Sequence, residues 1–326
     1  MAVLQTTIKK TDNITQIQEK LNKGGEIRFQ KGTYKIKKQL IVPKDTTINL
    51  NGSTLQRCAN IQSIFLNKVN KNTMGYDGAG NIVIRNGTVE GMGSYSYDNL
   101  ITFFHARGVR IEDVTFKDSL CHAVEFNACS NVTVNNCKFL GYNLESTDYT
   151  YRELIQIDWA GVSGFFLAGS TFTSPCYDGT TCNNVKVLNC IFSKSSYRDY
   201  PYACIGTHTQ EYGGKQHEKI EIANNEFHCK HNSTKQPCLS IIGMSDVNVN
   251  NNKFDCDKVA RIYSKSESYL TDGTKVDYSK GDGWCNGVLI QNNICSCKES
   301  DAFTIKNKTK KAHKVTTKDN KFKQEV

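Results

Sequence analysis

Proline is scarce, with four residues in a chain of 326. Proline removes a backbone donor and interrupts strand pairing, so little here breaks extended structure. No run of 18 apolar residues occurs, which leaves no candidate for a membrane-spanning helix. The opening Met1-Ala2-Val3-Leu4-Gln5 lacks the basic-then-apolar layout of a secretion signal. The expectation is export by another route, or a piece of a larger chain. Leucine is outnumbered by valine and isoleucine, a bias toward strands. Acidic residues are in deficit, and the net charge is +9. That fits a generic basic surface, or attraction to a polyanion such as an acidic polysaccharide, teichoic acid or nucleic acid.

Cysteine, by contrast, is plentiful at 14 residues. A disulfide framework belongs to small secreted domains that lack a core, and this chain is too long to need one. Cys137 and Cys190 fall at one repeat position, where buried thiols act as small hydrophobes. Cys176 and Cys182 flank a loop and are expected to pair only in an oxidising setting. His228, Cys229, His231 and Cys238 lie close in sequence, but their irregular spacing argues against a zinc site. The acids Asp255, Asp257, Asp272, Asp277 and Asp282 read as a solvated stretch rather than a calcium site. No metal and no cofactor is expected.

What dominates the chain is a nine-residue phrase, as in Asn131-Val132-Thr133-Val134-Asn135-Asn136-Cys137-Lys138-Phe139. The same frame starts at Asn81, Gly108, Asn184, Lys219, Asp246, Gly287 and Lys314. Its second position is always Val or Ile, and its sixth is always Asn or Asp. Apolar residues two apart mark one face of a strand. An Asn or Asp after them marks a turn, because these side chains tolerate the left-handed region. Successive frames start 27, 23, 53, 35, 27, 41 and 27 residues apart. A minimum near 23 to 27 fits one coil of a parallel β-helix, and longer gaps are coils with inserted loops. Stacked coils bury a core that no single coil could bury.

The N-terminal part reads as a cap. Residues 11–23 predict a short amphipathic helix with Ile14, Ile17 and Leu21 on one face, stopped by Gly24-Gly25. Short strands follow at 26–29, 33–36, 40–42 and 47–50. Residues 67–80 read as a loop. The expected division is a cap with the first coils over 1–66 and the β-helix with inserted loops over 67–326, together one structural domain.

The helix, then Gly24-Gly25-x-Ile27-x-Phe29-x-x-Gly32-x-Tyr34-x-Ile36, then Leu40-x-Val42-Pro43 and Thr47-Ile48, resembles a known opening. It is similar to that of right-handed parallel β-helix proteins of the pectate-lyase-like superfamily, among them polygalacturonase-related proteins and bacteriophage tail spikes. The resemblance covers essentially the whole chain. It implies an all-β, single-domain right-handed parallel β-helix. It leaves the reaction open, because the fold hosts hydrolases, lyases, epimerases and plain binders.

A second strand precedes each frame. With Ile101, Val124, Ile155 and Ile205 directed inward, the alternate residues Glu125, Asn127, Gln156, Asp158 and His208 are expected to point outward on three successive coils. Coils stack about 4.8 Å apart, so these groups would line one groove. Residues 142–153 carry Tyr149, Tyr151, Arg152 and Glu153; residues 159–183 begin with Trp159; residues 193–202 carry Arg198 and Tyr202. Aromatics beside acids and amides suit sugar rings, which stack through C–H faces and bond through hydroxyls.

Glycoside hydrolysis needs two carboxylates. The expected pair is Glu125 and Asp158, with Glu153 as a substitute for either, and His208 as a group that tunes the acid or holds a substrate carboxylate. Asn127, Gln156, Tyr149, Tyr151, Arg152, Trp159, Arg198 and Tyr202 are the expected substrate contacts. Gln156-Ile157-Asp158, Gly206-Thr207-His208 and Arg261-Ile262-Tyr263 only echo polygalacturonase blocks. The first expectation is therefore a hydrolase related to tail spikes that acts on a bacterial surface polysaccharide. The alternative is a non-catalytic glycan receptor-binding module, and a third reading is a uronate lyase or epimerase. The resemblance further implies a virion-tail or extracellular location and a homotrimer. Neither a membrane nor nucleic acid is the expected partner.

Overall fold

The computed structural model describes residues 5–91, 99–142, 153–161, 176–207, 215–229, 237–264, 267–269, 275–277, 285–307 and 314–323. The chain is a right-handed parallel β-helix. Seventeen strands form one sheet (sheet A) and nine form a second (sheet B). Apart from one small antiparallel pair, the strand pairings are parallel. Sheet B runs in chain order from Leu40–Val42 through Ile101–Phe104, Val124–Asn127 and Glu153–Asp158 to Phe303–Asn307.

Two left-handed residues shape each coil. The sixth frame position takes positive φ in all eight copies, from 53° at Asn136 to 61° at Asn86. There the strand bends, so sheet A has two facets. The strand Arg107–Ser119 runs through the bend, whereas the next coil breaks into Ser130–Asn135 and Lys138–Tyr142. The first frame position was assigned no conformation from sequence. It too is left-handed at Asn81, Gly108, Asn131, Asn184, Lys219, Asp246 and Gly287. The glycines at two of these positions are the signal, since only glycine enters that region freely.

In-register stacking puts like on like. Phe116, Phe139, Phe192, Phe227 and Phe254 form a ladder of stacked rings with centroids 4.7 to 4.9 Å apart. Beside it, the seventh frame position forms a polar ladder. The backbone N–H groups of Asn225, Asn252 and Asn293 donate to Oδ1 of Asn252, Asn293 and Asn320 at 2.9 to 3.0 Å. Their side-chain amides donate to strand carbonyls one coil back, as Asn252 Nδ2 does to Ile222 O at 2.9 Å. The ladder begins on Cys190, whose N–H donates to Asn225 Oδ1. Cys137 and Cys190 are buried one above the other, as expected.

The cap is shorter than the sequence pattern. The helix spans Ile14–Leu21 because Asn13 caps it, with Gln16 closing a reciprocal capping box. Ile17 and Leu21 are buried over the open end of the core. The strand Gln5–Ile8 and the short helix Glu299–Ala302 were not foreseen. The proposed Cys176–Cys182 pair does not form. Cys182 faces the interior, while Cys176 packs outside sheet B with Phe104 and Ala160. No helix among the described residues is long and apolar enough to cross a membrane.

One polar residue interrupts an interior column. Register places His217 between Cys182 and Met244. Its Nδ1 accepts the Cys182 N–H at 3.0 Å. Burial pulls the imidazole down to about 4, opposed by the charge of Asp158. The ring is thus neutral in the fold but charges near 6.5 when unfolded. Its contribution is complete above pH 6.5, is lost progressively as pH falls toward 4, and is constant below that.

Two outcomes are expected. Phe192→Ala opens a void inside the ring ladder and lowers the unfolding free energy by about 3–5 kcal/mol in urea titrations; a loss under about 1 kcal/mol would mean that the ladder relaxes around the gap. Between pH 7 and pH 4, wild type should lose about 3 kcal/mol more stability than His217→Gln. Parallel pH profiles of the two proteins would show that His217 does not stay neutral.

Candidate functional site

The outward side of sheet B is built from two rows fixed by register. The first row passes from Thr102 through Glu125 and Gln156 to Gly206, then to Ser240 and Arg261. The second contains Phe104, Asn127 and Asp158 on adjacent strands, and further on Ile242, Tyr263 and Lys306. The alternation read from sequence therefore holds: Val124, Ile155 and Ile205 fill the core and their neighbours face away.

Facing away from the core does not mean facing water here. Glu125 is 7 % exposed and Asp158 is 1 % exposed. Asn127 and Gln156 are also buried. The expected open groove is thus covered over these four residues. Part of the cover is a small apolar cluster in which Leu66, Phe104 and Ala128 pack with Ala160 and Cys176. The loop over 67–80 is tied to the insertion after Trp159. Gly75 N–H donates to Asp178 Oδ2 at 2.6 Å, and Tyr76 Oη donates to Thr181 O at 2.9 Å. His105 bridges both segments through Gly75 O and Cys176 O. Loop-on-loop packing of this kind joins residues about a hundred positions apart, and no local pattern encodes it.

Within the covered patch, Asn99 Nδ2 donates to Glu125 Oε2 and also reaches Thr102 Oγ1 at 3.3 Å. Asp158 accepts at both oxygens, from the Trp159 N–H at 2.9 Å and from Gln156 Nε2 at 3.1 Å. Asn127 is fully buried, and neither its Oδ1 nor its Nδ2 has a hydrogen-bond partner. A buried amide left in that state loses about 1–3 kcal/mol of solvation per group. Glu125 and Asp158 sit on adjacent strands two positions apart in register. A strand spacing of about 4.8 Å and a rise of about 3.3 Å per residue put their backbones about 8 Å apart.

The other expected site residues scatter. Glu153 is buried at the opposite end of the strand from Asp158, in register with Ala203. Five residues of strand put it about 16 Å from Asp158, too far to replace Glu125 in a pair with it. Tyr202 belongs to the interior core, not to a sugar platform. Trp159 is buried, and its ring lies against Gly161, where a side chain would have no room. Arg198 lies half-buried in a turn held by Ser195, which bonds Asp118 at 2.6 Å. Tyr149, Tyr151, Arg152 and His208 lie outside the described residues.

The sequence reading missed Asn99, which holds Glu125 from just before the preceding strand. It also undervalued Arg261. Arg261 donates through Nε to Ser240 Oγ at 3.1 Å, and its guanidinium stands 5.7 Å from the Tyr263 ring centroid. Lys306 stands 5.6 Å from the same centroid. Between the acidic and basic parts lies Gly206, where any side chain would meet Ser240 O at 2.2 Å. The face thus has an acid–amide patch, a notch, and a cationic end about 14 Å away, three strands on from Gln156. Of His228, Cys229, His231 and Cys238, whose spacing argued against a zinc site, only the two cysteines lie on the same side of the sheet wall among the described residues. His228 faces Asp255 at 3.5 Å on the outer side, Cys229 and Cys238 point into the core, and His231 is outside the described residues.

No family model matches the chain. Plasmin and fibronectin-binding protein A of Streptococcus pneumoniae is 27% identical over 258 residues, which is 71% of this chain and 34% of that protein. The chain thus spans about a third of that relative's length. The crystal structure of PfbA, a surface adhesin of Streptococcus pneumoniae, superposes with a TM-score of 0.71 at 21% identity, covering 96% of this chain and 79% of that one. An alginate lyase from Paenibacillus gives 0.61 at 11% identity over 97% of this chain and 95% of that one. A tailspike of E. coli bacteriophage HK620, solved with a pentasaccharide, gives 0.61 at 14% identity over 96% of this chain and 54% of that one. The fold these structures share with the chain is the one its repeat encodes, a right-handed parallel β-helix.

Proposed function

We propose that the outward face of sheet B binds a glycan chain outside the cell, on a cell surface or a virion tail, and hydrolyses it with inversion. The observation that carries this reading is the diagonal placement of Glu125 and Asp158 around an amide, Asn127, that has no partner of its own. A backbone separation of about 8 Å allows their two carboxyl groups to stand at the 6.5–9.5 Å that leaves room for a water between them. Asp158 accepts N–H bonds at both oxygens, which suits an acceptor that takes a proton from water. Glu125 then protonates the departing glycosidic oxygen. Both carboxylates are buried, so the chain above them has to move aside before a sugar reaches them. Arg261 and Lys306 flank Tyr263 too far along the face to act on the same bond. They suit anionic substituents on sugar units further along the chain, in keeping with the net charge of +9.

A second reading is favoured by that same burial and by the similarity to a pneumococcal adhesin. Here the carboxylates hold the local structure, and the face or the loops bind a host glycan or protein without turnover. Alginate lyase, a structural neighbour, keeps a uronate lyase as a third outcome of the test.

The test is a panel of bacterial wall and capsular polysaccharides, scored for new reducing ends and for unsaturated products. Glu125→Gln and Asp158→Asn should each lower turnover about 10²–10⁴-fold, the usual weight of acid–base catalysis, with glycan retention and melting temperature nearly unchanged. Full turnover in both variants would move the chemistry elsewhere. Unsaturated products would indicate a lyase. No turnover, with wild type retained on a glycan or on fibronectin, would favour the binding module.

A further inference from the structure

Two cysteine columns converge at one corner of the core. Cys229 closes the sheet A strand Glu226–Cys229, and Cys238 directly precedes the sheet B strand Leu239–Ile242 of the same coil. Cys204, in the strand Ala203–Gly206, belongs to the coil before, and its N–H donates to Cys238 O at 2.8 Å. Cys256 lies in register with Cys229 on the coil after. The Sγ atoms of Cys204, Cys229 and Cys238 all lie within 4.8 Å of one another, and the first two are 3.2 Å apart. Cys204 and Cys238 are fully buried, and Cys229 is 3 % exposed.

We propose that Cys204, Cys229 and Cys238 form a structural site for a thiophilic metal ion, with Zn²⁺ the fitting one and Cys256, in register with Cys229 on the next coil, the candidate fourth ligand. A tetrahedral zinc with Zn–S bonds of about 2.3 Å spaces its sulfurs about 3.8 Å apart, within the spread of the three thiols. The donor set is sulfur throughout, which selects zinc or cuprous copper over calcium or magnesium. Other buried cysteines, such as Cys137 with Cys190, stack within one column, as small core residues do. Only where a sheet A column meets a sheet B column do three thiols come within reach of one centre among the described residues. A disulfide would join two of them and leave the third without a role. On binding, each ligand releases its S–H proton to solvent and bonds the ion as thiolate. Because the three ligands come from two adjacent coils, the ion would cross-link the two sheets, and binding would couple to folding.

The experiment uses the full chain, produced with zinc and purified under reducing conditions without a polyhistidine tag. Metal content should be about one zinc per chain, with an all-sulfur shell at about 2.3 Å by X-ray absorption. Cys229→Ala and Cys204→Ala should lose the metal and melt several degrees lower, while Cys190→Ala keeps the metal. Should the variants fail to fold, the wild-type content and shell still decide. A wild-type protein that holds no stoichiometric zinc after refolding with it would overturn the site. So would a nitrogen or oxygen shell, equal zinc in Cys229→Ala, or a cystine among these residues on mass analysis of the alkylated protein.

Discussion

Everything in this molecule depends on parallel strands stacking in register, one coil directly over the next. The spacing of about 4.8 Å forces each side chain to meet its counterpart on the neighbouring coils. In the core, most columns are filled by residues that pack on a copy of themselves or on a close equivalent. Phenylalanine does so by ring stacking and asparagine by amide ladders, and cysteine does so because it is small and apolar. The left-handed positions, mostly Asn, Asp and Gly, make the stacking possible, since they recur at the same two places in seven of the eight repeat frames.

The same constraint explains the character of the candidate site. Sheet B also stacks in register, but its outer rows change from apolar to acidic to cationic along the axis. Thr102, Glu125, Gln156, Ser240 and Arg261 share one row without sharing a chemistry. A scaffold that repeats strictly inside and varies outside presents groups at fixed intervals close to the length of a sugar unit. Burial of Glu125 and Asp158 beneath packed segments sets the balance between the catalytic and adhesive readings. Access to the two carboxylates is what distinguishes the readings.

Inside, the columns carry a second layer of consequence. His217 is a polar guest in an apolar column and is held neutral there. The corner at Cys204, Cys229 and Cys238 gathers thiols that arrive from two columns.

How much was legible in advance follows from range. The repeat of Val or Ile with Asn or Asp, over nine residues, encoded the strands, the bends and hence the β-helix, because each of those is local or recurs one coil later. Alternation then assigned Glu125, Asn127, Gln156 and Asp158 to the outer face correctly, since strand parity is a property of consecutive residues. Tertiary structure decided the rest. It buried that face, joined distant loops through bonds such as Gly75 to Asp178, sent Tyr202 into the core, and placed Glu153 at the far end of its strand. It also set His228 apart and gathered a thiol cluster from two adjacent coils. Those outcomes depend on which loop folds over which strand and which corners face each other. Contacts between residues twenty-five to a hundred positions apart decide such things, and no local pattern of residues records them.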